Sequence, residues 1–309
     1  MIDLEYDADQ SALADTVHRW CERHASDAVV RELDGQFPRP LWDGLAELGV
    51  LGLGTAEGGG GALEIAAAME QLGVANVPGP LSATFVATQL LPSDDRIAVA
   101  GGGVVVSVGP PPLMPWAPVA SIFIELGADE AWRAHTESTL EPVETLGGEP
   151  WGRVSLVRDE RLDGVSRALA VGDVAVGAYL AGAGARLLHV ATDYARDRVQ
   201  FGRPIGEFQA VAHRLADVHL RLTAARHLVR LSAHALDSGS ADAVTDAATA
   251  RLSATRAALD AAYSAHQTLG AMGFTVEGPV AGVARRIRHV SLLPPGPSRA
   301  REVVLARLT

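Results

Sequence analysis

The sequence predicts an α+β protein in three parts: a helical N-terminal domain, a reduced β-domain and a C-terminal four-helix bundle. Three observations predict it. Apolar residues recur at helical spacing over the first part, short β-branched runs broken by Gly and Pro fill the second, and a longer three-four apolar seam opens in the third. The expected boundaries are 1–92, 93–162 and 163–309.

Each element has a local reason. In Ser11–Cys21 the apolar residues Leu13, Val17 and Trp20 lie on one helical face, and Asp7, Asp9 and Ser11 offer capping oxygens. Leu41, Leu45 and Leu48 carry the pattern through Pro40–Leu48, and Gly49 stops it. The run Gly58–Gly61 separates this from a short helix over Leu63–Leu72, and Pro78 and Pro80 precede another over Leu81–Leu91. Ile97–Ala100, Val104–Val108, Ala120–Leu126 and Val154–Val157 read as strands of a small antiparallel domain, separated by Gly102, Gly103, Pro110–Pro112 and Gly147–Gly148. Phe208, Val211, Leu215, Val218, Leu222, Ala225 and Val229 form the seam of a bundle helix. Asp242–Leu269 is Ala-rich, which permits close helix approach.

Composition narrows the function. Of 309 residues, 48% are hydrophobic and 20% charged, which is globular. The net charge of −11 argues against nucleic-acid binding and against attachment to anionic lipid by charge. All 26 basic residues are Arg, so a single Arg carries less weight than usual. Cys21 is the one cysteine, which excludes an intrachain disulfide and a zinc site with two thiolates from this chain. The acidic start MIDLEYDADQ lacks the layout of a signal peptide, and no long apolar run predicts a membrane span; a cytoplasmic protein is expected.

Generic motifs are silent. Gly58–Gly61 is neither a dinucleotide fingerprint nor a P-loop and reads as a turn. The ten His show no HExxH, there is no GxSxG, and no metal site is expected.

Two C-terminal segments speak more clearly. Residues 194–217 read YARDRVQFGRPIGEFQAVAHRLAD, and residues 266–286 read HQTLGAMGFTVEGPVAGVARR. The first resembles the R-x-x-F-G…F-Q…L-A-D segment of the acyl-CoA dehydrogenase family. The second is similar to that family's Q-x-x-G-G-x-G-F…E-x-P…R signature, with Ala271 replacing one Gly. LWDGLAELGVLGLGTAEGGGG, residues 41–61, looks like the family's N-terminal stretch, so the resemblance covers nearly the whole chain.

The resemblance implies a flavoenzyme fold with FAD at a subunit interface. Arg198 would pair with the pyrophosphate of a neighbour's FAD, Phe201 would pack on its adenosine end, and Gln209 would hydrogen-bond the same half. Gln267 and the turn through Leu269, Gly270 and Ala271 would approach the ADP portion.

The departures matter as much. Family members carry a catalytic Glu that removes the α-proton of an acyl thioester while hydride passes to the flavin. Counting from Arg286, that position falls on Pro295. In some members the base lies on a bundle helix instead; here that position is Gly172, and its neighbour Asp173 reads as a helix N-cap or, less naturally, as a displaced base. The family's flavin-ring loop and Trp-bearing strand have no counterpart in VGPPPLMPWAPVASIFIEL, where Trp116 reads as a packing residue.

Residues that serve a neighbour's FAD are thus kept and those that serve its own are lost. Some actinobacterial members acting on steroid side-chain CoA thioesters are α2β2 heterotetramers with one degenerate subunit, which this chain resembles. The implied partner is a full-length acyl-CoA dehydrogenase subunit carrying the catalytic Glu, with an acyl-CoA substrate. Two alternatives stay open: a self-sufficient homo-oligomeric flavoenzyme with an unusual base, and a flavin-free assembly protein of the same fold.

Overall fold

The structure, a computed structural model, describes residues 4–33, 35–127, 129–137 and 139–308. Six helices come first: α1 (Ala8–His24), α2 (Asp27–Glu32), α3 (Arg39–Glu47), α4 (Ala62–Val74), α5 (Leu81–Leu90) and α6 (Ser93–Ala100). Asp7 caps α1 in a reciprocal box: its side chain accepts from the Asp9 and Gln10 amides, and Gln10 accepts from the Asp7 amide. Gly49, at φ +79°, turns the chain after α3. The short α2 is absent from the sequence expectation. Ser26 caps it, and a helix that short has no apolar period to read.

The middle part holds β1 (Val106–Gly109), β2 (Leu113–Pro115), β3 (Ile122–Leu126), β4 (Ala131–Thr136), β5 (Glu141–Val143), β6 (Trp151–Arg153) and β7 (Leu156–Leu162). They form a four-stranded sheet in the order β1-β3-β4-β7 and a three-stranded sheet in the order β2-β6-β5. Two sequence expectations are corrected here. Ile97–Ala100 is the end of α6, because Pro92, Asp94 and Asp95 start a helix that alternating Ile and Val do not reveal. The larger sheet is mixed rather than antiparallel. Residues 110–121 leave it to build β2 in the other sheet, so β3 returns parallel to β1, with Val106 opposite Ile122. Val154–Val157 also divides, falling between β6 and β7.

The third part is α7 (Val165–Asp197), a hairpin of β8 (Val199–Gln200) and β9 (Arg203–Pro204), α8 (Gln209–Asp237), α9 (Ala243–Leu269), α10 (Ala281–Leu292) and α11 (Gly296–Leu308). α7 is long and apolar enough to cross a membrane, but its apolar window is 94% buried inside the protein, so it serves as the central helix of the bundle. The seam of α8 buries Leu215, Val218, Leu222, Ala225 and Val229, as its spacing predicts, whereas Val211 is half-buried and Phe208 is the cap before the helix.

One hydrophobic core joins the N-terminal helices to the bundle, running from Val17 and Trp42 through Tyr179 to Leu293. A second core lies between the larger sheet, α5, α6 and the start of α7. The first depends on close backbone approach. A Cβ on Gly73 of α4 would come within 2.1 Å of the Tyr179 carbonyl oxygen, and one on Gly182 of α7 within 2.0 Å of the Glu70 carbonyl oxygen. α4 is also capped from a distance. The Asp237 carboxylate, at the end of α8, accepts from the Ala62 and Leu63 amides at 2.7 and 3.0 Å.

Candidate functional site

Two regions bear on function: the two C-terminal segments that resemble the family's signatures and the positions where that resemblance expects a base.

The retained segments converge. α7 ends where α8 begins, across the β8–β9 hairpin, and α8 runs antiparallel to α9. Arg214 Nε donates to Ser264 Oγ at 2.9 Å, which aligns the start of α8 with the end of α9. Arg198, Phe201, Gln209, Gln267, Gly270 and Ala271 therefore share one end of the bundle, and all six are exposed. Leu269 differs. Its side chain is buried in the main core, so only its backbone belongs to the surface turn.

The hairpin that carries Phe201 is tightly built. Phe201 and Gly202 both adopt left-handed backbone, at φ +54° and +83°, which a two-residue turn of this hand requires. Phe201 is 93% exposed and meets Phe208 edge-on, while the Arg203 guanidinium stacks over the Phe208 ring at 4.2 Å. The turn thus holds an aromatic ring out in solvent. At the end of α9, Gly270 sits at φ +58° with no heavy atom within 4 Å of a built Cβ. His266 beside it stacks on Phe274 at 4.5 Å, and its buried Nδ1 has no hydrogen-bond partner. Met272, Phe274 and Val276 continue the exposed apolar surface.

The positions where a base is expected form a different environment. The turn of Leu293, Pro294 and Pro295 connects α10 to α11 and offers no titratable side chain. At Gly172 a Cβ would come within 2.5 Å of Val86 Cγ2, so that position has no room for a carboxylate either. Asp173 lies inside α7, well past its start at Val165, which corrects the N-cap reading. Asp173 and Arg251 are both fully buried, with Arg251 Nη1 donating to Asp173 Oδ1 at 2.8 Å. Arg251 Nη2 donates to the Leu293 carbonyl, and Arg299 Nη1 reaches Asp173 Oδ2 at 3.4 Å. Burial pushes the Asp173 carboxyl above the ordinary carboxylate range, against the pull of Arg251 and Arg299. The carboxylate acts as a clamp between α7, α9 and the proline turn.

Sequence reasoning missed a second buried cluster. Glu149, on the loop before β6, pairs with Arg286 at 3.2 Å and with His289 at 2.8 Å, and all three are buried. Gly147 makes this possible, since a Cβ there would strike the His289 ring at 2.2 Å. The space among Met69, Leu81, Ser82, Glu149, Tyr179 and Leu293 shrinks to a cavity of about 10 Å³, room for one water at most. The Gly147–Gly148 pair was the available signal: adjacent glycines beside a Glu and a Trp permit close approach to another element. Trp116, also in this part, is buried and meets Phe37 edge-on at 6.0 Å, as a packing residue does.

The family model "Acyl-CoA dehydrogenase, N-terminal domain" matches residues 7–94, and "Acyl-CoA dehydrogenase, C-terminal domain" matches residues 163–300. The chain is 32% identical to the acyl-CoA dehydrogenase IpdE2 of Mycobacterium tuberculosis, over 87% of each protein. Among solved structures it resembles the ChsE4–ChsE5 complex from Mycobacterium tuberculosis, with a TM-score of 0.85 and 21% identity over 99% of each chain. It resembles the Tcur3481–Tcur3483 steroid ACAD equally well, with a TM-score of 0.85 and 21% identity over 97% of each chain.

Proposed function

The chain belongs to the acyl-CoA dehydrogenase family, and we propose that it is a non-catalytic subunit that completes the FAD site of a partner. One observation carries this reading. The residues suited to a neighbour's cofactor stand exposed at one end of the bundle, while every position that would hold a base is proline, sterically closed or clamped by arginine.

The family's cofactor is FAD, and the exposed end of the bundle fits its ADP half. A guanidinium, two amides, a projecting aromatic ring and a turn with open space at Gly270 suit pyrophosphate, ribose and adenine in turn. Arg198 would hold the pyrophosphate, Phe201 would cover the adenosine end, and Gln209 and Gln267 would donate and accept around it. When bound, FAD supplies the hydride acceptor for α,β-dehydrogenation of a CoA thioester. This chain's residues bind and orient; the proton-accepting carboxylate comes from the partner, a full-length family member.

The relatives favour a heteromeric assembly acting on a steroid-derived substrate. One solved neighbour is a complex of two named subunits, and another is a steroid ACAD. We include an α2β2 arrangement and a cytoplasmic location as parts of the proposal. The pairing of Asp173 with Arg251 weighs against a self-sufficient enzyme that uses Asp173 as its base.

Co-expression tests the proposal. With a full-length family member from the same organism, the chain should co-purify as a yellow complex that dehydrogenates an acyl-CoA; alone it should be flavin-free. A lone chain that retains stoichiometric FAD and reduces it with an acyl-CoA would refute the reading.

A further inference from the structure

We propose that His266 is a positioning residue: it holds the turn after α9 in the shape that receives the ADP half of a partner's FAD. This role rests on the reading that Gln267, Gly270 and Ala271 face that half of the cofactor. His266 would set their geometry without touching the cofactor itself.

His266 lies in the last turn of α9, one residue before Gln267. Three contacts fold the following segment back onto it. Its carbonyl accepts from the Gly270 amide, where Gly270 takes φ +58° and ends the helix. Its ring stacks on Phe274, with centroids 4.5 Å apart and planes 23° from parallel. Between these, Gly273 packs so closely that a built Cβ would come within 3.2 Å of the His266 Cα and 3.4 Å of its Nδ1. One residue thus engages the start, the middle and the end of the segment Gly270–Phe274.

The segment draws little support from the core. Gly273 is its one buried residue, while Met272 is 56% and Phe274 70% exposed. A turn with so few buried contacts sits at the low end of local stability. Without the stack it would have to be ordered when the cofactor binds, and that entropy would be subtracted from affinity.

The ring nitrogen shows how His266 acts. Nδ1 is buried and has no hydrogen-bond partner, so no hydrogen bond at that atom fixes the imidazole. Its flat face against Phe274 is what holds the turn. A phenyl ring offers the same face without burying an unpaired nitrogen. Stacking therefore predicts that phenylalanine can replace His266, whereas a polar role predicts that it cannot.

His266→Ala and His266→Phe test this with two readouts. Hydrogen exchange on the full chain alone reports the order of the turn, and FAD retention by the co-expressed complex reports its use. Alanine suits a helix better than histidine, so His266→Ala should melt close to the parent. We expect His266→Ala to speed exchange of the Gly270–Phe274 amides and to weaken FAD retention by roughly tenfold, the upper end of what a stacked ring pair contributes. His266→Phe should restore both. Parental exchange in His266→Ala would overturn the positioning role. Faster exchange with parental FAD retention would overturn its link to the cofactor. A His266→Phe variant as impaired as His266→Ala would overturn the stacking account. Failure of the functional reading is distinct: the parent complex itself then carries no FAD, which takes the role of His266 with it.

Discussion

At Asp173 the consequence of burial is largest. Asparagine would keep the size of the side chain but leave the Arg251 guanidinium fully buried without a counter-charge. Asp173→Asn should therefore destabilise the chain by on the order of 3 kcal/mol or more in urea unfolding. Replacing both partners with apolar residues, Asp173→Leu with Arg251→Met, should recover most of that loss. If the single variant unfolds like the parent, Asp173 is not a structural counterion. Cys21 offers a second check at this scale. It is buried, and desolvation pushes its thiol up to about 12 from an ordinary 9.0. The native thiol should resist alkylation at pH 8 and react on unfolding. The sign follows from linkage. The unfolded thiol ionises near pH 9 while the folded one stays neutral, so this group's contribution to stability is intact below pH 9 and declines as pH rises toward about 12.

Between elements, the α4–α7 contact depends on missing side chains. Backbone from α4 occupies the space a Cβ on Gly182 would need, so the two helices must part if one is added. Gly182→Ala should cost about 2–3 kcal/mol or more in spite of the better helix propensity of alanine, as seen by thermal denaturation. The same substitution on an exposed helix face would be stabilising, so the sign of the effect distinguishes a helix crossing from an ordinary helical glycine.

In the assembled molecule the cofactor-facing end can be tested apart from folding. Arg198 is exposed, and its backbone amide closes α7 whatever its side chain. Arg198→Ala in the co-expressed complex should weaken FAD retention by roughly tenfold to a hundredfold, the worth of a charge-assisted contact of ~1.5–3 kcal/mol, without shifting the melting of the chain itself. Unchanged FAD affinity would mean that this guanidinium does not face the cofactor.

The sequence by itself determined the longer periodic helices, though not α2 or α6, together with the family and the two segments proposed to serve a partner's FAD. Helical period and local motifs are properties of neighbouring residues, so the seam from Leu215 to Val229 and the segment around Phe201 were legible directly. Even the burial of Asp173 was within reach, because it falls in the stripe of Leu169, Val176 and Leu180 on α7. Its partner was not. Arg251 sits on another helix among Ala247, Ala254 and Ala258, and no local pattern couples the two. The same holds for Glu149 with Arg286 and His289, for Asp237 capping α4, and for the parallel return of β3 to β1. Each is a contact between residues far apart in the chain, made when packing brings their elements together. Only the tertiary structure decided that the acids of the interior are clamps, because a carboxylate's role depends on which charge burial leaves beside it.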